Sequence, residues 1–459
     1  MMKVLEDCRV APPPGTVAGK SLPLTFFDLP WLHFPLIHRV MFYEFPHSKT
    51  HFIESVIPKL KHSASLTLKH FFPLAGNLIV PSNSSKPEMR YVNGDSVSLI
   101  FAESRGDFDY LSGDHARNAD EFHPLVPQMP EVIYESGTAI APLLALQVTL
   151  FPDVGLCFGL IFHHVIADAS TLMNFLNSWA SIFKSGGDED LLKDGILPLY
   201  ERSVIKDPKG LEEIYWGQLK DTKFEVPPYQ FLPTNKVRAT FVMRREVIQK
   251  LKKLVSDQRP SLSYVSTVTT TCAFVWICMV KSRLGNGEDI GEDDWDLFVL
   301  NVDCRARWNP PLPVNYFGNC ITPIFIKGKS TQLIGDEGFL TAAGLIGEGI
   351  HNRLHNEEGV MKDMENWVSE FQALVSELLR KQTIDRAAGV AGSPKLGFYG
   401  VDFGWGRPKK IEIISIDVNG AFSVMESRDS EGGVEVGVSL PKIKLDAFVT
   451  IFEDSLQNI

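Results

Sequence analysis

The spacing of apolar positions changes along the chain, and the changes predict its elements. From Thr50 to His70, Ile53, Val56, Ile57 and Leu60 recur at helical spacing, after a strand candidate at Arg39 to Phe45. Short strands punctuated by Pro and Gly follow near Asn77 to Val80, Met89 to Val92 and Ser96 to Ala102. Leu144 to Phe151 alternates, Pro152 to Gly155 turns, and Leu156 to Phe162 is an unbroken apolar run, which predicts a hairpin buried on both faces. Leu172, Phe175, Leu176, Trp179 and Phe183 then predict a helix over 169–184, capped by Asp168 or Ser170. Polar, Gly-rich sequence at 185–210 separates this half from a second. The second half has strands near Ala239 to Met243, Leu297 to Val302, Ile321 to Lys327, Ile411 to Ile416, Ala421 to Glu426 and Gly433 to Ser439. Its helices are expected near 245–257, 265–282 and 445–456, with two more between 339 and 380. The expectation is an α/β protein of two halves, residues 1–185 and 216–459, joined by a linker at 186–215.

Composition narrows the class. The 459 residues are 44% hydrophobic and 22% charged, an ordinary globular balance too long for one core. Lys and Arg number 45 against 56 Asp and Glu, a net charge of −11, so no broad basic surface for nucleic acid or anionic lipid is expected. The six cysteines form no C-x-x-C pair and read as reduced, mostly buried thiols of a cytoplasmic protein. The charged, Pro-containing start lacks the apolar run of a signal peptide. Polar residues interrupt the most apolar stretch, Leu143 to Phe162, within the ~20 positions a membrane helix needs.

The sharpest chemical feature is Phe162-His163-His164-Val165-Ile166-Ala167-Asp168, where the buried strand meets the capped helix. Such corners open onto clefts, and one histidine is expected to continue inward while the other projects as a general base. The same pattern also fits a satisfied, half-buried pair, or a metal site using His163, His164 and Asp168. A G-x-S-x-G elbow, a Walker A loop and a G-x-G-x-x-G strand turn are all missing, and Asp402-Phe403-Gly404 has no H-R-D partner of a kinase. The string Asp402 to Pro408 reads as a rigid packing loop. Asn301 to Trp308 runs into two arginines that would order an anion or form ion pairs.

These strings together resemble the BAHD family of plant acyl-CoA-dependent acyltransferases: His164 to Asp168 matches its H-x-x-x-D motif and Asp402 to Gly406 its D-F-G-W-G motif. Ala169 stands where glycine is frequent. Leu22 to Asp28 and Tyr316 to Cys320 resemble the branch that acylates anthocyanins and other phenolic glucosides, most often with malonyl groups. The resemblance implies two chloramphenicol-acetyltransferase-like domains with a channel between them, no resident cofactor or metal, malonyl-CoA or another acyl-CoA as co-substrate, and a monomer. It implies His164 as general base, Asp168 paired with Arg305 as structural support, and a catalytic part for Asp402. Lys253, Ser266, Thr267, Arg283, Gly318 and Asn319 are its candidates for the CoA arm, and Arg39 and Tyr316 for substrate. Hydroxycinnamoyl transfer to another alcohol or amine is the alternative activity, and a scaffold that only binds a metabolite or partner is a third reading.

Overall fold

The structure, a computed structural model, describes residues 2–82, 85–190, 197–225, 233–284, 287, 289–355 and 358–457. Its centre is the expected hairpin. Every residue of Leu144–Phe151 and Gly155–Phe162 is buried, so both strands are covered on both faces, as their continuous apolar character requires. They pair antiparallel with Leu144 opposite Phe162. The second strand pairs antiparallel with Ile37–Glu44, placing Ile37 opposite Phe162 and Arg39 opposite Leu160. Opposed residues share a face, so Ile37, Arg39, Leu160 and Phe162 project from the same side. The complete six-stranded sheet runs Met2–Val10, Val97–Ser104, Leu144–Phe151, Gly155–Phe162, Ile37–Glu44, Lys410–Ile413.

A seven-stranded mixed sheet carries the second half. Its order is Ile321–Lys329, Trp295–Asp303, Ala387–Ala391, Ala421–Glu426, Val434–Pro441, Lys236–Met243, Arg117–Asn118. The helix Thr267–Leu284, apolar through its middle from Cys272 to Val280, is buried on nearly every side beside this sheet, in a core drawn from residues 239 to 452. A five-stranded antiparallel sheet, from Lys20–Pro23 to Ile133–Glu135, completes the first half.

The halves exchange strands. Lys410–Ile413 joins the first sheet and Arg117–Asn118 the second. Buried charges lock the crossing: Glu412 meets Arg117 at 2.8 Å and Arg238 at 2.9 Å, and Arg238 meets Asp417 at 2.8 Å. Burial alone pushes Glu412 up, yet Arg117 and Arg238 hold it at about 2. Two expectations change. The segment expected as linker contains the first residues of a helix, Leu211–Leu219, whose Leu211, Tyr215, Trp216 and Leu219 are buried; 191–196 lie outside the described residues. The strand expected at 411–416 stops at Ile413 and turns into the short helix Ile416–Asn419.

Candidate active site

The strand Gly155–Phe162 ends at His163, and the chain turns through His164 to Asp168 before the helix Ala169–Lys184. Asp168 is the cap: its Oδ1 accepts from the Thr171 amide at 3.0 Å. Arg305, in the turn after Trp295–Asp303, grips the same carboxylate twice, at 2.7 Å and 3.0 Å, and the Cys320 amide donates to Oδ2 at 3.0 Å. Burial favours the neutral acid, but Arg305 and these amides bring Asp168 below its ordinary value. Asp168 is therefore ionised and fully engaged in holding the corner.

His163 continues inward, is buried, and stacks on Phe224 with ring centres 5.9 Å apart. His164 turns the other way. Its ring lies flat on Trp31, 3.9 Å away at 12°, with Phe34 edge-on at 5.6 Å. Asn319 holds the backbone beneath it: Nδ2 donates to the carbonyls of His164 and Val165 at 3.0 Å and 3.1 Å. Asn319 is anchored in turn on Asp28, whose Oδ1 accepts from its amide and its Nδ2, both at 3.0 Å. The His164 Nδ1 is buried without a hydrogen-bond partner, and the residue lines the cavity. Burial, helped by a smaller push from Arg39, holds His164 down at about 4 against the stronger pull of its own backbone carbonyl and of Asp168, so the ring is neutral at pH 7 and free to accept a proton.

That cavity, about 1230 Å³, lies between the two large sheets. Trp31, Arg39, Phe162 and His164 form the wall of the first half, and Asn301, Ile321, Trp367, Phe371 and Ser393 belong to the second. Arg39 is 7% exposed, with Nε and Nη1 unpartnered and its guanidinium 4.7 Å over the Phe398 ring. Burial lowers it only to about 10, so it stays cationic at neutral pH. A buried cation without a carboxylate is costly, and this one borders the space beside His164.

The structure gathers some expected ligand residues and separates others. Ser266 and Thr267 line the cavity, with Ser266 Oγ also accepting from the Thr269 amide at 3.0 Å. Lys253 is exposed and off the wall, whereas Lys252, one position earlier on the helix Arg245–Gln258, is on it. Arg283 is buried against Asp296. Tyr316 is 1% exposed and accepts from Arg202 at 2.8 Å. Gly318, at φ +130°, lets Arg202 approach to 2.5 Å from where a Cβ would stand, and its carbonyl accepts from Arg305 at 3.1 Å. Asn319 is fully buried. These three support the His164 corner from behind and have no face on the cavity.

Asp402 is also off the wall. It meets Lys184 at 2.6 Å and accepts from the Gly404 and Gly406 amides at 2.7 Å and 2.9 Å, closing a tight loop. Phe403 is the loop's plug, stacked on Phe158 at 4.7 Å and edge-on to Trp179 at 5.2 Å. Sequence reasoning missed Trp31, His33, Phe34 and Trp367, and of the lysines at 250, 252 and 253 on one helix it took Lys253. The only signal available was the aromatic density around Pro30 to Pro35. Among the described residues no three His, Cys, Asp or Glu side chains are grouped to hold a metal ion, and no helix is long and apolar enough to cross a membrane.

Comparisons with known proteins converge on this architecture. The chain is 42% identical over 465 residues to the malonyl-coenzyme A:anthocyanin 3-O-glucoside-6''-O-malonyltransferase of Dahlia pinnata, covering 100% of this chain and 98% of that protein. It is 44% identical over 426 residues to phenolic glucoside malonyltransferase 1 of Nicotiana tabacum, covering 92% of each. Among solved structures, vinorine synthase superposes with a TM-score of 0.70 at 22% identity, covering 97% of this chain and 96% of that one, and so shares the fold. The family model described as the transferase family matches residues 3–455. The chain therefore belongs to the BAHD family of acyl-CoA-dependent acyltransferases.

Proposed function

We propose that the protein transfers a malonyl group from malonyl-CoA to a sugar hydroxyl of a flavonoid or other phenolic glucoside, with His164 as general base. His164 Nε2 takes the hydroxyl proton while the sugar oxygen bonds to the thioester carbonyl carbon. The tetrahedral intermediate then expels CoA by breaking the C–S bond, and the imidazolium returns the proton to the departing thiolate. No acyl-enzyme forms, and much of the rate enhancement comes from holding both substrates in one cavity.

The observation that carries the donor assignment is Arg39: an unpaired, buried guanidinium on the same cavity wall as His164. A malonyl carboxylate satisfies it, and an aromatic acyl group does not. Lys252, Ser266 and Thr267 supply a cation and hydroxyls for the CoA arm from the opposite wall. Asp168, Arg305 and Asn319 are positioning residues, and Asp402 is structural. We read the enzyme as a monomer of two acyltransferase domains, with the strand exchange fixing the channel between them. A cytoplasmic location fits the six free cysteines, five of them buried.

A donor screen at a fixed flavonol glucoside tests this reading. Malonyl-CoA is expected to exceed acetyl-CoA and coumaroyl-CoA in kcat/KM, and Arg39→Gln to lose about 10–100-fold with malonyl-CoA alone, the value of a charge-assisted contact. A preference for aromatic esters overturns it.

A further inference from the structure

Arg39 and His164 border one cavity, and Arg39 projects from the sheet face that also carries Phe162, two residues before His164. Arg39 opposes a positive charge on His164, while Asp168, already paired with Arg305, favours one. The other titratable neighbours are neutral: His163 and His33 are both held below the ordinary histidine value by burial. Trp31, Phe34 and Asn319, which complete the contacts to His164, carry no charge. Lys252, Asp303, Arg307, Lys395 and Glu426 stand on the walls contributed by the second half, and burial raises the Glu426 carboxyl above its ordinary value. His164 therefore shares its cavity with a buried cation whose Nε and Nη1 have no partner among the described residues.

We propose that the donor's own carboxylate completes the catalytic base: by pairing with Arg39 it cancels the cation that opposes protonation of His164, so a dicarboxylic acyl-CoA meets a stronger base than a monocarboxylic one. This rests on the donor reading above and adds to it a selectivity located in the chemical step. A base that binds protons only near pH 4 is neutral in the cell but weak, and strength improves as its value approaches the working pH. The sign is fixed by the charges. Neutralising a nearby cation raises the affinity of His164 for the transferred proton. The raised value still lies below that of a free thiol, about 8.5, so returning the proton to the CoA thiolate stays downhill. Part of the discrimination between malonyl and acetyl donors then falls in kcat instead of KM.

The test titrates His164 directly, in full-length protein labelled with 13C at histidine Cε1. The resonance is assigned by its loss in His164→Gln. Saturating malonyl-CoA or acetyl-CoA is added without acceptor, so no transfer to a sugar occurs. The His164 midpoint is expected about one pH unit higher with malonyl-CoA than with acetyl-CoA, and the two midpoints to coincide in Arg39→Gln. Coincident midpoints in the wild type, or a separation that survives in Arg39→Gln, overturn the inference. If Arg39→Gln fails to fold, the two wild-type titrations decide alone. Normal malonylation of a glucoside with coincident midpoints sinks only this inference, whereas failure of malonyl-CoA to act as donor sinks the functional reading itself.

Discussion

Asp168 closes one motif turn, Asp402 opens the other, and each faces a cation, yet their surroundings give them different work. Asp168 and Arg305 are 2% and 5% exposed, joined by two hydrogen bonds, and the pair sits under the corner that presents His164. Asp402 and Lys184 are 30% and 57% exposed, joined by one contact, and the loop they close turns its aromatic residues into the first half's core. Two carboxylates in equally diagnostic strings thus divide into a buried pair that holds the His164 corner and a surface pair that closes the loop around a plug. What separates them is the direction of the adjoining turn: toward the cavity after Gly155–Phe162, toward packed aromatics after Val401.

The widest separation between the two sites is expected from Arg305→Ala. Removing one partner of a buried pair strands the other charge, at a cost of about 3–5 kcal/mol, and malonyl transfer falls with it as the corner loosens; urea unfolding with a parallel thiol-release assay checks both. Phe403→Ala comes next. Deleting a buried phenyl ring costs about 3–5 kcal/mol, but kcat of the folded fraction is expected to hold, because the ring packs on Phe158 and Trp179 and not on the cavity.

Acidification sharpens the contrast. Burial raises and Arg305 lowers Asp168, with a net value below the ordinary one. Its contribution is therefore complete above the unfolded value of about 3.9 and is lost as pH falls through the lower native value. The stability gap between wild type and Arg305→Ala is expected to narrow below about pH 4 in unfolding curves collected from pH 7 to 3. The smallest effect belongs to Lys184→Ala, expected within about 1 kcal/mol because an exposed ion pair contributes little.

The same comparison shows what was legible in the sequence. The hairpin 144–162 and the helix 169–184 were readable because alternation, an unbroken apolar run, a Pro-Asp turn and an Asp cap are all local signals. The exchanged strands, Arg117–Asn118 and Lys410–Ile413, were not readable as exchanged, since two to four residues carry no mark of which sheet accepts them. The corner that carries His163 and His164 was readable because a strand end and a capped helix flank it, but which of the two rings faces the cavity was not, and the family resemblance alone singled out His164. Asn319 and Tyr316 were read as ligand contacts but are buried supports, a distinction that depends on which of two packed loops covers the other. Lys253 lies off the cavity wall and Lys252 on it because a helix turns roughly 100° per residue, so adjacent lysines face different ways. Trp31 escaped notice because its contact with His164 joins loops far apart in sequence.

The account stands on a division of labour between the imidazole at 164 and the carboxylate at 402. The direct measurement is thiol release from malonyl-CoA with a flavonol glucoside, run side by side on folded His164→Ala and Asp402→Ala enzymes. The account predicts a loss of about 10²–10⁴-fold in kcat for His164→Ala, the usual value of a positioned general base, and less than a tenfold loss for Asp402→Ala. Near-normal turnover by His164→Ala, or a deeper loss in Asp402→Ala at equal stability, would contradict it.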